Sequence, residues 1–300
     1  MSFREQNLTD QSGKHFVITG ANTGLGFETA RALALQGATV TIACRDPQKA
    51  EDAIGKIRKL KPNADIGAVN LDLNDLDNVK AAADTLNAGP RIDVLINNAG
   101  LMVPPLQRTK EGFESQMGVN HLAHFALVGH LMPKILGDNT RVVALSSLAH
   151  LGGNIQFDDL HCNESDYNAM ARYRDSKLAN LLFALELERR LRKQDTEAIS
   201  LACHPGIAMT ELVRYSNPAL KFVLFPLIPL MNTAAAGAWP TLLAATGENV
   251  KGGDYYGPSK RRETAGPAAP AHIANRAKDE AAAEKLWDIS IEVTGVNPGI

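Results

Sequence analysis

Residues 14–37 read KHFVITGANTGLGFETARALALQG, and the order of residue types in this stretch decides the fold. Lys14 to Thr19 is a short, mostly apolar run of the kind that forms a strand. Gly20, Gly24 and Gly26 follow at once, and an Ala- and Leu-rich helix then runs to Gly37. Strand, glycine turn and helix make a phosphate-binding unit: glycines let the backbone turn tightly and approach a pyrophosphate, which meets the exposed N–H groups of the helix start. The spacing is GxxxGxG, a pattern that an ordinary glycine turn also shows. Its place after a first strand and before a helix favours the phosphate-binding reading. The candidate cofactor-binding residues of the turn are Gly20, Asn22, Thr23, Gly24, Leu25 and Gly26.

Outward from this unit the alternation of strands and helices never pauses. A second strand, Ala38 to Ala43, ends in Cys44, Arg45 and Asp46, and Asp46-Pro47 reads as a helix cap with Pro at the first helical position. The adenine ribose of a dinucleotide lies at this strand end, where a carboxylate would bind a free 2′-hydroxyl and repel a 2′-phosphate. Cys44 is uncharged and Arg45 follows, which favours NADP; a surface Arg on a loop, with Asp46 beside it, fits the same letters. A third strand, around Ile66 to Leu71, leads to Asp72 and Leu73, and Asp72 either holds the adenine amino group or caps the helix from about Asp75 to Leu86. A fourth strand, Ile92 to Ile96, leads to Asn97-Asn98-Ala99-Gly100, which suits either a flat ligand ring or a simple turn. Strands at Arg141 to Leu145, Ala198 to Ala202 and around Asp254 to Tyr256 complete the α/β pattern. The expectation is one doubly wound Rossmann-type domain over residues 1–300, with a parallel sheet of about seven strands flanked by helices. A substrate loop at about 206–232 and a C-terminal extension at about 258–300 belong to the same domain.

The stretch 171–191, ARYRDSKLANLLFALELERRL, holds no Gly or Pro and reads as a buried helix with Leu178, Leu181, Leu182 and Leu185 on one stripe. Tyr173 and Lys177 stand four apart, so they share a face. A free phenol has a pKa of about 10, and an adjacent ammonium favours its phenolate, which makes Tyr173 a candidate general acid or base. Tyr256 and Lys260 have the same spacing, but Gly257 and Pro258 forbid a helix between them. The helix from about Gly112 to Leu136 carries Asn120, poorly suited to a helix interior, together with His121, His124 and His130. No carboxylate or Cys completes a ligand set around these histidines, which read as packing or surface residues, and no metal site is expected. Strand five ends in Ser146 and Ser147, and the stretch from there to Tyr173 reads as a long surface excursion. Cys203 and His204 are neighbours on an extended segment, so they point apart and are not a nucleophile and base pair. Pro205, Gly206 and Thr210 follow on a loop able to close over a ligand.

A net charge of −2 with both signs interspersed excludes the basic footprint of nucleic-acid binding. Three Cys fit neither a disulfide framework nor a metal site and point to a reducing compartment. The polar start MSFREQNLTDQSGK has no signal-peptide core, and the longest apolar run, Phe222 to Met231, is short and broken by Pro226 and Pro229. A cytoplasmic protein with a small-molecule partner and no transmembrane segment is expected.

Taken together, TGANTGLG at 19–26, NNAG at 97–100, Asn120, Ser147, YRDSK at 173–177 and PG at 205–206 resemble the short-chain dehydrogenase/reductase family, over about residues 14–257. ACRD at 43–46, SSLAH at 146–150 and FDDL at 157–160 are similar to its retinol-dehydrogenase-like group. The resemblance implies a catalytic tetrad of Asn120, Ser147, Tyr173 and Lys177, with hydride moving between the nicotinamide and the carbon of an alcohol, aldehyde or ketone. Tyr173 would carry the proton, Ser147 would orient the reacting oxygen, Lys177 would hold the nicotinamide ribose, and Asn120 would hold a water. It implies further cofactor contacts at Arg45, Asp72, Leu73, Asn98, Ala99, Gly100, Pro205, Gly206 and Thr210, and a homo-oligomer formed through the long helices. The gap of 26 residues between Ser147 and Tyr173 (173 − 147) is longer than is usual in the family, so pocket shape does not carry over. The Leu- and Phe-rich segment from Leu212 to Met231 either packs inward or walls an apolar substrate pocket. A dinucleotide-binding sensor on the same fold is the alternative, but a sensor has no use for Tyr173 and Lys177.

Overall fold

A computed structural model describes residues 2–162, 166–207 and 232–300; Thr210 and the segment from Leu212 to Met231 lie outside them. The strands are β1 (His15–Thr19), β2 (Thr39–Cys44), β3 (Ile66–Asn70), β4 (Val94–Asn97), β5 (Arg141–Leu145), β6 (Ile199–Cys203), β7 (Tyr255–Lys260) and β8 (Ala265–Pro270). They form one sheet in the order β3-β2-β1-β4-β5-β6-β7-β8. Every residue of β1 and β4 is buried, as strands covered by helices on both faces must be. β1 pairs in parallel with both β2 and β4. The strand order therefore reverses beside β1, and a crevice opens at the carboxyl ends of the central strands.

The sheet is parallel from β3 to β7, and β8 then folds back antiparallel on β7. The expected parallel sheet of about seven strands is present, and this eighth strand extends it. Its sequence, AGPAAP, carries no β-branched residue and reads as a connection, yet an edge position tolerates proline because one side of the ladder needs no donors. Phe3 exchanges backbone hydrogen bonds of 2.9 and 2.8 Å with Ala268, so the N-terminal segment covers part of that edge.

The helices are α1 (Gly24–Leu35), α2 (Pro47–Leu60), α3 (Leu76–Asn87), a short α4 (Ser115–Met117), α5 (Ala123–Asp138), α6 (Ala169–Leu191), α7 (Ala234–Thr246) and α8 (Glu280–Thr294). Asp46 caps α2 with Pro47 at its first position, as its sequence reads. Asp75, not Asp72, caps α3 through the N–H groups of Asp77 and Asn78. Between α4 and α5 the chain makes a π turn, Gly118–Leu122, so the single helix expected over this region is interrupted at Asn120.

α6 is buried around most of its circumference, well beyond its leucine stripe. One contributor, besides the sheet contacts of β5 and β6, is α8, which lies across α5 and α6. Its Trp287 ring stands 5.0 Å from that of Phe125 and 6.0 Å from that of Phe183, with the Arg190 guanidinium 4.5 Å above it. Part of the long-helix surface is thus covered within the chain. Among the described residues no helix is long and apolar enough to cross a membrane. Trp287→Ala empties the centre of this contact and should lower the unfolding free energy in urea by about 3–5 kcal/mol. A loss below about 1 kcal/mol would mean that α8 is not part of the core.

Candidate functional site

The glycine turn is shaped by how closely it meets the segment after β4. Gly20 and Gly24 have φ of +67° and +61°, a region that favours glycine. A Cβ on Gly20 would lie 2.9 Å from the Ala99 Cβ, and one on Gly26 2.5 Å from Asn98 Nδ2 and 2.8 Å from the Gly20 carbonyl. Thr19 joins the two segments: its Oγ1 accepts the N–H groups of Asn98 and Ala99, both at 2.9 Å, and its carbonyl accepts Asn98 Nδ2 at 2.6 Å. His124 completes the arrangement from below, with Nδ1 3.0 Å from the Asn120 carbonyl and Nε2 2.9 Å from Thr19 Oγ1. A carbonyl can only accept, so Nδ1 carries the proton and Nε2 receives the Thr19 hydroxyl. Burial suits this neutral ring, holding the His124 pKa down to about 4.

A cleft of about 480 Å³ opens above the glycine turn, at the carboxyl ends of β1 to β4. The candidate residues Gly20, Asn22, Thr23, Gly24, Leu25 and Gly26 line one wall, and Asn98, Ala99 and Gly100 line another. Arg45, Asp72 and Leu73 also line the cleft, as does Lys49, which is absent from the candidate set. The signal for Lys49 is its place in the first turn of α2, three residues after Asp46. Asp46 accepts the Lys49 N–H at 3.1 Å and pairs with its ammonium at 3.1 Å, so this carboxylate is engaged as a helix cap. Asp72 accepts both the backbone and side-chain N–H of Asn74, at 3.0 and 2.9 Å, and shapes the loop at the cleft's edge. A backbone stripped of side chains at Gly20 and Gly26, an exposed helix start and two cations on one flank fit a nicotinamide dinucleotide.

At its inner end the cleft reaches Gly100. A Cβ there would stand 3.2 Å from Asn120 Oδ1 and 3.3 Å from Lys177 Nζ, so cleft, π turn and α6 meet at one point. Tyr173 and Lys177 are both 3% exposed. Lys177 Nζ donates to the Leu145 carbonyl at 3.2 Å and lies 5.7 Å from the centre of the Tyr173 ring. The two serines have different surroundings. Ser146 is buried and donates to the Lys177 carbonyl at 2.7 Å, whereas Ser147, partly exposed, caps a 3₁₀ turn by accepting the Ala149 N–H at 3.2 Å. The Asn120 amide has partners on both its atoms: it donates to the Leu101 carbonyl (3.0 Å) and to Ser176 Oγ (2.9 Å), and accepts the Leu101 N–H (2.7 Å). This explains its seat in a π turn, where a helix former would leave Leu101 unpaired.

One expectation needs adjustment. The excursion after Ser147 is partly core, because His150, Leu160 and Cys162 are buried and His150 Nδ1 donates to the Ser147 carbonyl at 2.7 Å. Pro205 and Gly206 follow β6 and are not part of the cleft lining, and Thr210 lies outside the described residues. His121 is a packing residue whose Nε2 meets Ser290 Oγ at 3.0 Å, while His130 is partly exposed.

The short chain dehydrogenase family pattern matches residues 14–221. The chain is 42% identical to retinol dehydrogenase 12 of Homo sapiens over 289 residues, which are 95% of this chain and 87% of that protein. It resembles the crystal structure of an uncharacterised protein from Mycobacterium paratuberculosis over all of both chains, with a TM-score of 0.83 and 38% identity. In fold alone it matches a structure described as an NAD(P)-dependent gluconate 5-dehydrogenase from Beutenbergia cavernae with bound NADP. That match has a TM-score of 0.62 at 22% identity, over 79% of this chain and 91% of the other. The chain belongs to the short-chain dehydrogenase family, in its retinol-dehydrogenase-like group, and is an oxidoreductase of alcohols and carbonyls that uses a nicotinamide dinucleotide.

Burial lowers the pKa of His121 to about 3 and of His124 to about 4, from an ordinary 6.5. Below pH 6.5 the unfolded chain binds protons that the folded one refuses, so this contribution to stability is complete above that pH and is lost as pH falls toward 4. His121→Leu should remove about one proton from the uptake on unfolding, flattening the fall in urea stability by about 1.4 kcal/mol per pH unit across this window. An unchanged slope would mean that His121 is already charged in the folded protein.

Proposed function

We propose that this short-chain dehydrogenase is NADP(H)-dependent and interconverts an apolar alcohol with its aldehyde or ketone, Tyr173 moving the proton on oxygen. The observation that carries this reading is the meeting of the cleft with the Tyr173–Lys177 face at Gly100. The bound nicotinamide would supply or accept the hydride at the substrate carbon. The Tyr173 hydroxyl gives its proton to the substrate oxygen in reduction and takes it back in oxidation. Lys177, anchored on the Leu145 carbonyl, sets a positive charge beside the phenol and favours the phenolate. Ser147, at the end of β5, orients the reacting oxygen. Asn120 fixes Leu101 and Ser176, and through them the wall on which Lys177 stands. An apolar substrate is favoured by the relatives named for retinol, a long apolar alcohol, and by the Leu- and Phe-rich composition of residues 212–231.

Tyr173→Phe keeps the shape and removes the proton donor, so turnover of NADPH with an apolar aldehyde should fall by roughly two orders of magnitude or more while cofactor affinity survives. A kcat within a few-fold of the parent would overturn the assignment.

The preference for NADP rests on Arg45 and Lys49 beside the cleft, an uncharged Cys44 whose thiol pKa is raised by burial, and an Asp46 turned to its helix. A guanidinium and an ammonium together suit a 2′-phosphate. Replacing both Arg45 and Lys49 by Ala should cut the NADPH-over-NADH ratio of kcat/KM by roughly tenfold or more. Equal kcat/KM for the two cofactors in the unmodified protein would remove the phosphate reading.

A further inference from the structure

Beyond β6 the chain enters His204, Pro205 and Gly206 against the β7–β8 hairpin. The His204 side chain is fully buried, and a Cβ on Gly257 would run into its ring, so a residue of β7 that lacks a side chain leaves the space for it. Nδ1 accepts the Gly206 N–H at 3.2 Å. That bond requires a bare Nδ1 and places the proton of the neutral ring on Nε2. Nε2 faces Glu263 Oε2 at 3.3 Å, long and off line for a hydrogen bond, so the carboxylate acts on the N–H chiefly through its charge. The His204 contact holds the Glu263 carboxyl below its usual pKa, and Glu263 Oε1 accepts the His272 N–H at 2.9 Å.

Glu263 reaches this position through a disfavoured turn. Arg261, Arg262 and Glu263 have φ of +52°, +54° and +63° in succession, a left-handed run of residues that all carry side chains. Such conformations persist where the surroundings over-determine them. Here the Thr264 carbonyl accepts the Ile207 N–H at 2.9 Å, and Gly206, at φ +74°, presses on the same carbonyl where no Cβ would fit. Asn232 closes the arrangement by donating to the Pro205 carbonyl at 3.1 Å and accepting the Gly266 N–H at 3.2 Å. The hairpin tip and the Pro205–Gly206 turn are therefore keyed to each other residue by residue.

We propose that Glu263 is a positioning residue for the nicotinamide end of the cofactor: its carboxylate keeps His204 in the Nε2–H tautomer, leaves Nδ1 open to the Gly206 N–H, and so holds the Pro205–Gly206 turn in shape. This rests on the reading of the protein as NADP(H)-dependent, with the Pro205–Gly206 turn at that end of the cofactor because β6 lies beside β5, whose Leu145 carbonyl holds Lys177. With Glu263 gone, the ring proton is free to move to Nδ1, where it would oppose the Gly206 N–H donor to donor. A carboxylate that selects the tautomer of an imidazole acts in the same way in other sites.

The test is calorimetric titration of the full chain with NADPH and, separately, with 2′,5′-ADP, which carries the adenine end and lacks the nicotinamide. Glu263→Leu should weaken NADPH by roughly tenfold and leave 2′,5′-ADP unchanged. Glu263→Asp, which keeps the carboxylate charge, should lose less NADPH affinity than Glu263→Leu and bind 2′,5′-ADP as the parent does. Imidazole ¹⁵N resonances of the unmodified protein should report His204 protonated on Nε2 alone. Unchanged NADPH affinity in Glu263→Leu, an equal loss of both ligands, or a His204 proton on Nδ1 in the unmodified protein would each overturn the proposal. The ¹⁵N measurement decides even if Glu263→Leu fails to fold. Tyr173→Phe assayed in parallel separates the two readings: if it stays active the proposed function falls, and if it is dead while Glu263→Leu binds NADPH normally, only the role of Glu263 falls.

Discussion

The Thr19 hydroxyl is the bond on which the site depends. A hydroxyl can donate one hydrogen bond and accept two, and Thr19 uses all three, accepting the N–H groups of Asn98 and Ala99 and donating to His124. Three pieces far apart in sequence are thereby held at one height: the end of β1, the loop after β4, and the π turn that carries Asn120. The glycines then become necessary. With the loop drawn this close, a side chain at Gly20 or Gly26 would strike Ala99 or Asn98, and the backbone is left bare where a pyrophosphate would lie.

Burial of charge is the second constraint. Lys177 is almost fully buried, and an ammonium in that position is costly unless oxygen atoms surround it. The Leu145 carbonyl is one such oxygen, and the Asn120 amide oxygen lies across the same gap at Gly100. His124 is kept neutral by burial and by the nearby Lys177 charge, which together outweigh the pull of its bond to the Asn120 carbonyl toward the protonated ring. A fixed cation beside a phenol, with neutral imidazole behind it, is a useful environment for proton transfer.

The periphery serves the centre. α8 lies on α5 and α6 through Trp287 and helps bury α6, the helix that carries Tyr173 and Lys177. At the β8 edge of the sheet, the β7–β8 hairpin braces the turn that follows β6. In both cases a late segment of the chain supports a side chain or turn contributed by an earlier one.

What the sequence by itself determined is what short-range physics controls. The order of strands and helices, the glycine turn, the Asp46-Pro47 cap and the shared face of Tyr173 and Lys177 each follow from residues within a few positions of one another. Tertiary structure decided the rest. The hydroxyl bond from Thr19 to His124 spans 105 residues, the contact of Ser290 with His121 spans 169, and neither residue type advertises its partner. Asn120 looked misplaced in a helix until the π turn supplied Leu101 and Ser176 as partners for its amide. Ala265–Pro270 became a strand only because an edge of the sheet lay open to it. Periodicity records which face of an element is buried; which distant group then fills that face depends on packing of the whole chain, where the pairing of a single polar atom outweighs local propensity.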